Sequence, residues 1–146
     1  MIGWLLDTNV LSEVRRLHPE PRVVAFVKAQ PLERLYISTV TLAEIRFGIE
    51  RIQDAGRRAE LYTWLDHTVR PMFAQRVLSI TEDIMLRWRL LVEAGRKTGY
   101  TYSQPDLIIA ATALHHDLTV VTRNTSDFAR AGVSLVDPWT DRGAHA

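Results

Sequence analysis

Four acidic residues combine the side-chain type and the placement that a metal-dependent reaction needs: Asp7, Glu44, Asp106 and Asp127. Asp7 directly follows a short apolar run, Asp127 comes soon after another, and the other two stand near the starts of largely apolar segments. A set of oxygen ligands without His or Cys suits Mg²⁺ or Mn²⁺ better than zinc. A cation held by carboxylates polarises a phosphodiester and lowers the pKa of an attacking water. The chemistry that these residues indicate is therefore phosphoester hydrolysis.

Each of these carboxylates also has a purely structural interpretation. Asp7 can cap the helix that follows it. Glu44 and Asp106 each stand three residues after a Thr or a Ser, which is the spacing of a capping box. Asp127 would be favoured by the helix dipole in the first turn of a short helix. For any one residue the two interpretations stay open, so the case for a site depends on all four lying together.

The elements that must position these residues alternate along the chain. Short apolar or β-branched runs predict strands at residues 2–6, 35–37, 76–80, 118–122 and 134–136. Apolar residues at helical spacing predict helices at residues 10–16, 22–30, 40–52, 54–69, 81–96, 105–116 and 125–131. Strands separated by helices predict an α/β fold with three layers, α/β/α, in which a short parallel β-sheet is flanked by helices.

Such a sheet brings the acidic residues to one edge. Ligands of α/β proteins bind outside the carboxyl ends of the strands. Asp7 and the turn that contains Asn124 and Asp127 follow predicted strands, while Glu44 and Asp106 start helices near the same edge. Carboxylates brought together without basic partners raise each other's pKa, and a bound cation relieves their repulsion.

Composition narrows the class of protein. The chain has 146 residues, of which 47% are hydrophobic and 24% charged, and these values indicate one folded domain rather than a disordered chain. It has no Cys, which excludes disulfides, zinc–thiolate sites and Cys nucleophiles. The net charge of +1 is too small for a protein that coats nucleic acid electrostatically. Without a signal peptide or an apolar run of ~20 residues, we expect a cytoplasmic protein with no membrane association.

Four strings of this sequence resemble PIN-domain ribonucleases, and the closest likeness is to the VapC toxins of bacterial type II toxin–antitoxin pairs, including the FitB-like branch. The strings are LDTN at 6–9, TLAEIRFGI at 41–49, DLIIAATA at 106–113 and TRNTSDF at 122–128. They occur in this order, and the resemblance runs from Ile2 to about Trp139. We therefore expect a PIN domain at residues 1–139, followed by a loose C-terminal tail at residues 140–146.

The resemblance implies a metal-dependent endoribonuclease whose acidic core is Asp7, Glu44 and Asp106. We expect Asp7 and Asp106 to bind Mg²⁺ or Mn²⁺. The other residues expected at the site are Glu44 and Asp127, which complete the catalytic set, and Asn124, Thr8 and Arg123, which support it.

One position departs from the family pattern. Many PIN domains carry Asp where this chain has Asn124, and an amide contributes no charge. Asp127 is the candidate for the fourth carboxylate. Whether Asn124 or Asp127 fills the fourth position, and whether one or two ions bind, stays open at the level of the sequence.

The resemblance also implies partners. It implies an RNA substrate, a homodimer that can enter a larger toxin–antitoxin assembly, and a small antitoxin protein whose peptide covers the acidic groove. An apolar groove between the segments at 40–52 and 61–69 would suit an amphipathic partner helix.

Two other functions remain open. One is a different Mg²⁺-dependent phosphoesterase, such as a phosphatase that acts through an aspartyl-phosphate. Such a site needs a Lys near a late strand, whereas the only lysines, Lys28 and Lys97, lie in predicted helices. The other is a catalytically weak PIN-like binding module. The three core carboxylates count against this second function, and an activity assay decides it.

Overall fold

Five parallel strands form the centre of the molecule. The structure is a computed structural model, and it describes residues 3–140. The strands are β1 (Trp4–Leu6), β2 (Leu35–Ser38), β3 (Val77–Leu78), β4 (Thr119–Val121) and β5 (Leu135–Val136). Their order in the sheet is β3-β2-β1-β4-β5. The parallel pairing places β1, the first strand of the chain, between β2 and β4.

Helices cover both faces of this sheet, as the sequence predicts. They are α1 (Thr8–Arg15), α2 (Pro21–Ala29), α3 (Thr39–Glu50), α4 (Ala55–Trp64), α5 (Arg70–Met72), α6 (Glu82–Lys97), α7 (Gln104–His116) and α8 (Thr125–Ala129). A short 3₁₀ helix at Leu32–Arg34 precedes β2, and a π-helical turn at Leu65–Val69 joins α4 to α5. None of the helices within residues 3–140 is long and apolar enough to cross a membrane.

The strands have apolar residues on both faces, and this creates two cores. Trp4 and Leu6 pack with α1 to α4 on one face of β1, whereas Leu5 packs with α7 and α8 on the other. Successive residues of a strand point to opposite faces, so a strand between two helical layers must be apolar throughout. The three-layer α/β/α prediction is confirmed.

Several predicted strands and helices are longer than the observed ones. The strand predicted at 76–80 is confined to Val77 and Leu78, because its partner β2 ends at Ser38, which caps α3 through its hydroxyl. The long helix predicted at 54–69 ends its α-helical part at Trp64 and continues as the π-helical turn. Pro71, which follows, has no N–H to continue an α-helical pattern.

The predicted groove between the segments at 40–52 and 61–69 is not open. Ile45 and Ile49 of α3 pack in the core with Leu61, Leu65 and Val69, so the facing sides of these segments are buried. An open groove lies instead on another side of α3. At the C-terminal end, Trp139 is buried in the same core. The predicted tail at 140–146 lies, apart from Thr140, outside the described residues.

Candidate active site

Asp7 is held at the carboxyl end of β1 by three hydrogen-bond donors. Its Oδ1 accepts the backbone N–H of Thr8 at 2.8 Å, which caps α1. Its Oδ2 accepts the hydroxyl of Thr122 at 2.8 Å and the side-chain amide of Asn9 at 3.3 Å. The structural interpretation of Asp7 as a helix cap is thus correct, but it accounts for only one of the two carboxylate oxygens. The other oxygen connects β1 to the end of β4.

Burial dominates the electrostatics of Asp7. The residue is only 4% exposed. Loss of solvent raises the pKa of its carboxyl group, the hydrogen bonds from Thr122 and Thr8 oppose that rise, and the charge of Asp127 adds to it. A carboxylate that is buried, hydrogen-bonded only to neutral donors and close to another acid favours a nearby cation.

Thr122 organises this end of the sheet, and sequence reasoning did not select it. Its side chain is fully buried. While its hydroxyl donates to Asp7, its oxygen accepts the Asn9 amide at 3.2 Å and the backbone N–H of Asn124 at 3.0 Å. Asn9 in turn accepts the backbone N–H of Arg123 at 3.4 Å. The strings at 6–9 and 122–128 contain these residues, but a hydroxyl or an amide in a motif does not by itself indicate such a network.

Glu44 joins the cluster from α3. The helix begins at Thr39 with Ser38 as its cap, which places Glu44 beyond the first turn. The capping-box interpretation is therefore wrong, and the Thr41 hydroxyl that it requires has no hydrogen-bond partner within residues 3–140. The hydroxyl of Thr8 donates to Glu44 Oε1 at 2.7 Å. Partial burial raises the pKa of Glu44, the Thr8 hydrogen bond lowers it, and the charge of Asp7 raises it.

Asp106 carries the most strongly shifted pKa of the cluster. It lies in the first turn of α7, where Ser103 occupies the cap position without a capping hydrogen bond from its side chain. Partial burial raises the pKa of Asp106 to about 6, with further contributions from the charges of Asp7, Asp127 and Glu44. Within residues 3–140, no ion pair neutralises Asp106. The charges of three other predicted acids therefore act on Asp106, and the convergence of all four on one metal site stays a prediction.

Asn124 and Asp127 contribute to the cluster in different ways. A cleft of about 470 Å³ opens between α1, α3, α7 and the end of β4, and Asn124 forms part of its wall. Asp127, in α8, is exposed and is not among the lining residues. Its charge nevertheless raises the pKa of both Asp7 and Asp106. Asn124 therefore lines the cleft, whereas Asp127 acts on the cluster through its charge, and which of the two fills the fourth position stays a prediction.

Arg16 and Arg123 supply positive charge to the same cleft. Arg123 lies over the ring of Trp139, with 5.4 Å between its Cζ and the ring centroid. Arg16 pairs with Glu13 at 3.3 Å. Glu13 also lines the cleft, but its other oxygen accepts the backbone N–H of Glu20 at 2.9 Å, and this bond holds its pKa below the usual range. Glu13, which sequence reasoning missed, is therefore occupied by structural partners.

The donors fit a hard cation that keeps part of its water shell. Within residues 3–140, no three His, Cys, Asp or Glu side chains are arranged to hold one metal ion together. Mg²⁺ usually binds through one or two carboxylates and retains several waters. A cluster of carboxylates whose charges are not balanced by basic side chains, and which contains no nitrogen or sulfur ligand, suits that mode of binding.

The fold and the acidic cleft together define a PIN domain. The PIN domain model matches residues 4–133, and the chain belongs to this family. The chain is 41% identical to the plasmid stability protein StbB of Pseudomonas syringae pv. tomato, over 92% of this chain and 97% of the relative. It is 38% identical to the VapC ribonuclease Y4jK of Sinorhizobium fredii (92% and 96% covered). It is 37% identical to the toxin FitB of Neisseria gonorrhoeae (94% and 99% covered).

Solved structures show the same fold. The crystal structure of FitAcB from Neisseria gonorrhoeae superposes with a TM-score of 0.89 and 36% identity, covering 94% of this chain and 99% of that chain. A toxin–antitoxin complex from Klebsiella pneumoniae superposes with a TM-score of 0.68 and 28% identity, covering 93% and 98%. The similarity extends over nearly the whole of each protein.

Proposed function

We infer that this protein is a metal-dependent endoribonuclease that acts as the toxin of a toxin–antitoxin pair. The observation that carries the inference is the cluster of Asp7, Glu44 and Asp106, whose pKa values are all raised in a cleft at the carboxyl edge of the sheet. The relatives named as VapC ribonuclease and toxin, which align over almost the whole chain, support it. PIN-domain ribonucleases as a class depend on a metal ion.

We propose that Asp7 and Asp106 hold Mg²⁺ or Mn²⁺. A cation there supplies charge to the scissile phosphate and lowers the pKa of the water that attacks it. Thr122 and Thr8 fix the two oxygens of Asp7, so that carboxylate is preorganised in one orientation. The hydroxyl of Thr8 also orients Glu44 toward the same cleft. Asp127 adds a negative charge near the site, and the Asn124 amide lines it. Arg123 and Arg16, which line the same cleft, attract RNA phosphates.

The partner we propose is a small antitoxin protein that covers the acidic cleft. The solved structures that share this fold include a toxin–antitoxin complex from Klebsiella pneumoniae, which supports a partner of this class. A bound peptide that brings a cation to Asp7 and Asp106 would satisfy the same charges that a metal ion satisfies. Self-association, and a larger assembly with the antitoxin, stay predictions.

Substitution of Asp106 tests the function. Asp106→Asn keeps the size of the side chain and removes its charge, so RNA cleavage should fall at least ~10²-fold, the scale of losing one preorganised electrostatic contact. The measurement is the rate of cleavage of total RNA with Mn²⁺ or with EDTA. Production of the wild-type chain alone should arrest bacterial growth, and Asp106→Asn should relieve that arrest at an equal soluble level.

Asp137→Asn is the matched control. Asp137 lies after β5, outside the cleft, and accepts the backbone N–H of Trp139 at 2.9 Å, a bond that an Asn oxygen also accepts. This variant should cleave RNA and arrest growth like the wild type. A folded Asp106→Asn protein that is as active as the Asp137→Asn protein overturns the proposed site. A wild-type chain that neither cleaves RNA nor arrests growth favours the binding-module alternative.

A further inference from the structure

Arg123 is a cation of the acidic cleft that the protein itself does not neutralise. It lies just beyond the carboxyl end of β4, where it is exposed and lines the cleft. Within residues 3–140 its guanidinium forms no ion pair, whereas the other arginine of the cleft, Arg16, pairs with Glu13. The charge of Arg123 is therefore available for an anion that enters the cleft.

Trp139 provides the surface on which this guanidinium lies. The Cζ of Arg123 is 5.4 Å from the centroid of the indole ring, within the range of a cation–π contact. Trp139 is only 7% exposed and packs in the same core as α1 to α4. Its side chain also interacts with the buried carboxylate of Glu13, although the backbone N–H of Glu20 lowers the pKa of that group more strongly. Apolar packing and a polar contact thus fix the indole, which gives Arg123 a rigid support.

Arg123 and the carboxylates occupy different parts of the cleft. The neighbouring charges that shift the pKa of Asp7, Glu44 and Asp106 all belong to other acids. A guanidinium in contact with any of these carboxylates would lower its pKa. Arg123 therefore lines the cleft at a distance from the acids. An RNA strand whose reacting phosphate lies at the carboxylates presents a neighbouring phosphate to Arg123.

We propose that Trp139 is a positioning residue of the ribonuclease, which holds the guanidinium of Arg123 where it binds a phosphate next to the one that is cleaved. The proposal rests on the proposed ribonuclease function and deepens it by dividing the cleft into two parts. The carboxylates hold the cation and the reacting phosphate, whereas Arg123 binds the neighbouring phosphate and sets the register of the strand. The planar guanidinium can bind two phosphate oxygens at once, and an aromatic support reduces the motion that it loses on binding.

RNA binding to the Asp106→Asn protein, in which cleavage is suppressed, tests the proposal. The probe is a fluorescent single-stranded RNA of ten nucleotides, and its Kd is measured with Mn²⁺ at several salt concentrations. Adding Arg123→Gln should raise Kd about tenfold, the scale of one charge-assisted contact. It should also reduce the slope of log Kd against log salt concentration by about 0.7, the value for one phosphate contact on a single strand.

A double-mutant cycle distinguishes positioning from a general structural role. Trp139→Leu removes the aromatic face and should raise Kd at least about threefold, the scale of one cation–π contact. In the Arg123→Gln protein the same substitution should raise Kd no further, because no guanidinium remains to be positioned. Trp139→Phe, which keeps an aromatic face, should retain most of the affinity. A loss of core packing alone would instead add to the effect of Arg123→Gln.

Trp64→Leu is the matched control for Trp139→Leu. Arg15 lies over the ring of Trp64 at 5.5 Å, a nearly equal distance, but neither residue lines the cleft. Trp64→Leu should therefore leave both Kd and its salt dependence unchanged. Thermal melting checks that each variant is folded at the temperature of the binding measurement.

Two results would overturn the proposal. An unchanged Kd and salt slope in Arg123→Gln mean that Arg123 binds no phosphate, and this exposed substitution decides the matter even if a Trp139 variant does not fold. Additive losses for Arg123→Gln and Trp139→Leu mean that Trp139 is a core residue only. If the wild-type chain cleaves RNA while either result is found, the proposal fails and the ribonuclease function stands. A chain that neither binds nor cleaves RNA contradicts both.

Discussion

At the scale of single residues, Asp7 and Asp106 differ in how far the protein itself compensates their charge. Asp7 receives donors from Thr8, Asn9 and Thr122, whereas Asp106 has neither a hydrogen bond from its side chain nor an ion pair within residues 3–140. Removing the charge of Asp106 thus relieves repulsion and loses no described contact. The oxygen of Thr122 already accepts N–H groups from Asn9 and Asn124. In Asp7→Asn, the new side-chain amide would direct a third N–H group at that oxygen. We therefore expect the metal-free Asp7→Asn protein to melt below the Asp106→Asn protein.

The raised pKa of Asp106 predicts how stability depends on pH. The group titrates near 3.8 when unfolded and at about 6 in the native protein, so the stability it contributes is complete below pH 3.8 and is lost as the pH rises through 6. In EDTA, Asp106→Asn should match the wild type near pH 4. Above pH 6 it should be more stable, by about 1 kcal/mol after allowing for solvent screening of a half-buried group.

Thermal melting between pH 4 and pH 8 checks this dependence. A gain of about 1 kcal/mol corresponds to about 3 °C for a chain of this size. Asp137→Asn, outside the cleft, serves as the control and should differ from the wild type by the same small amount at every pH. If the advantage of Asp106→Asn does not grow between pH 4 and pH 7, neither burial nor the neighbouring charges raise the pKa of Asp106 in the native protein.

The buried hydroxyl of Thr122 provides a second test at this scale. Thr122→Val preserves the shape of the side chain but removes the closest donor to Asp7 Oδ2 and the acceptor of the Asn124 N–H. It also removes one of the two acceptors of the Asn9 amide, which keeps its bond to Asp7. We expect a loss of about 1–3 kcal/mol in the free energy of unfolding, together with reduced RNA cleavage.

Thr112→Val is the matched control for Thr122→Val. Thr112 is also fully buried, but its hydroxyl donates only to the carbonyl of Ile108 in its own helix, at 2.8 Å. Its substitution should cost less than about 1 kcal/mol, because that carbonyl keeps its helical hydrogen bond. Urea unfolding and cleavage rates measure both variants. Equal effects at the two positions would mean that Thr122 fills space and does not orient Asp7.

At the scale of elements, two helical glycines have opposite surroundings. A Cβ at Gly48 of α3 meets nothing within 4 Å, whereas a Cβ at Gly95 of α6 would lie 2.9 Å from the carbonyl oxygen of Tyr100 and 2.9 Å from the ring of Tyr102. Gly48→Ala should therefore raise the free energy of unfolding by about 0.5–1 kcal/mol. Gly95→Ala should lower it, because the backbone of Tyr100 cannot move without a change in the loop. Urea unfolding measures the free energy of unfolding of both variants. A loss of stability in Gly48→Ala would contradict the open surroundings of Gly48.

The accuracy of sequence reasoning also depends on the kind of element. Buried strands such as β1 and β4 are apolar on both faces, so an uninterrupted apolar run in the sequence is enough to identify each of them. The order of these strands and helices then indicates the edge of the sheet at which Asp7 and Asp106 lie. The length of β3 is not encoded in its own residues, because Ser38 of the neighbouring strand ends the pairing by capping α3. Thr122 was missed for a similar reason. Its role arises from donors and acceptors that are distant in the sequence, and no local pattern reports them.

Sequence reasoning located the apolar groove on the wrong side of α3. Periodicity showed that α3 and α4 are both amphipathic, but it does not show whether two apolar faces meet each other or remain open. In the structure Ile45 and Leu61 meet in the core, while Phe47 remains exposed on the other side. Exposure of one residue in an apolar stripe is a property of the tertiary packing.

At the scale of the whole molecule, a bound cation should stabilise the fold. The proposed binding of Mg²⁺ or Mn²⁺ to the native cluster, and not to the unfolded chain, predicts that the melting temperature rises with the concentration of the ion. The gain should reach about 2.7 kcal/mol at a hundredfold excess over Kd. Asp106→Asn should gain much less. Calorimetry with increasing Mn²⁺ measures the effect, and NaCl of equal ionic strength controls for screening. Equal shifts in the two proteins would place the ion elsewhere.

The position of β1 in the middle of the sheet has a consequence for biosynthesis. Asp7 leaves the ribosome well before its partner Thr122, which is 115 residues further along the chain. Closing so long a loop is slow compared with forming local contacts, and synthesis proceeds at about 5–20 residues per second. An unfinished polypeptide therefore presents separate acidic residues and no assembled cleft. The ribosome must therefore read past the codon of Thr122 before the chain emerging from it can cut RNA.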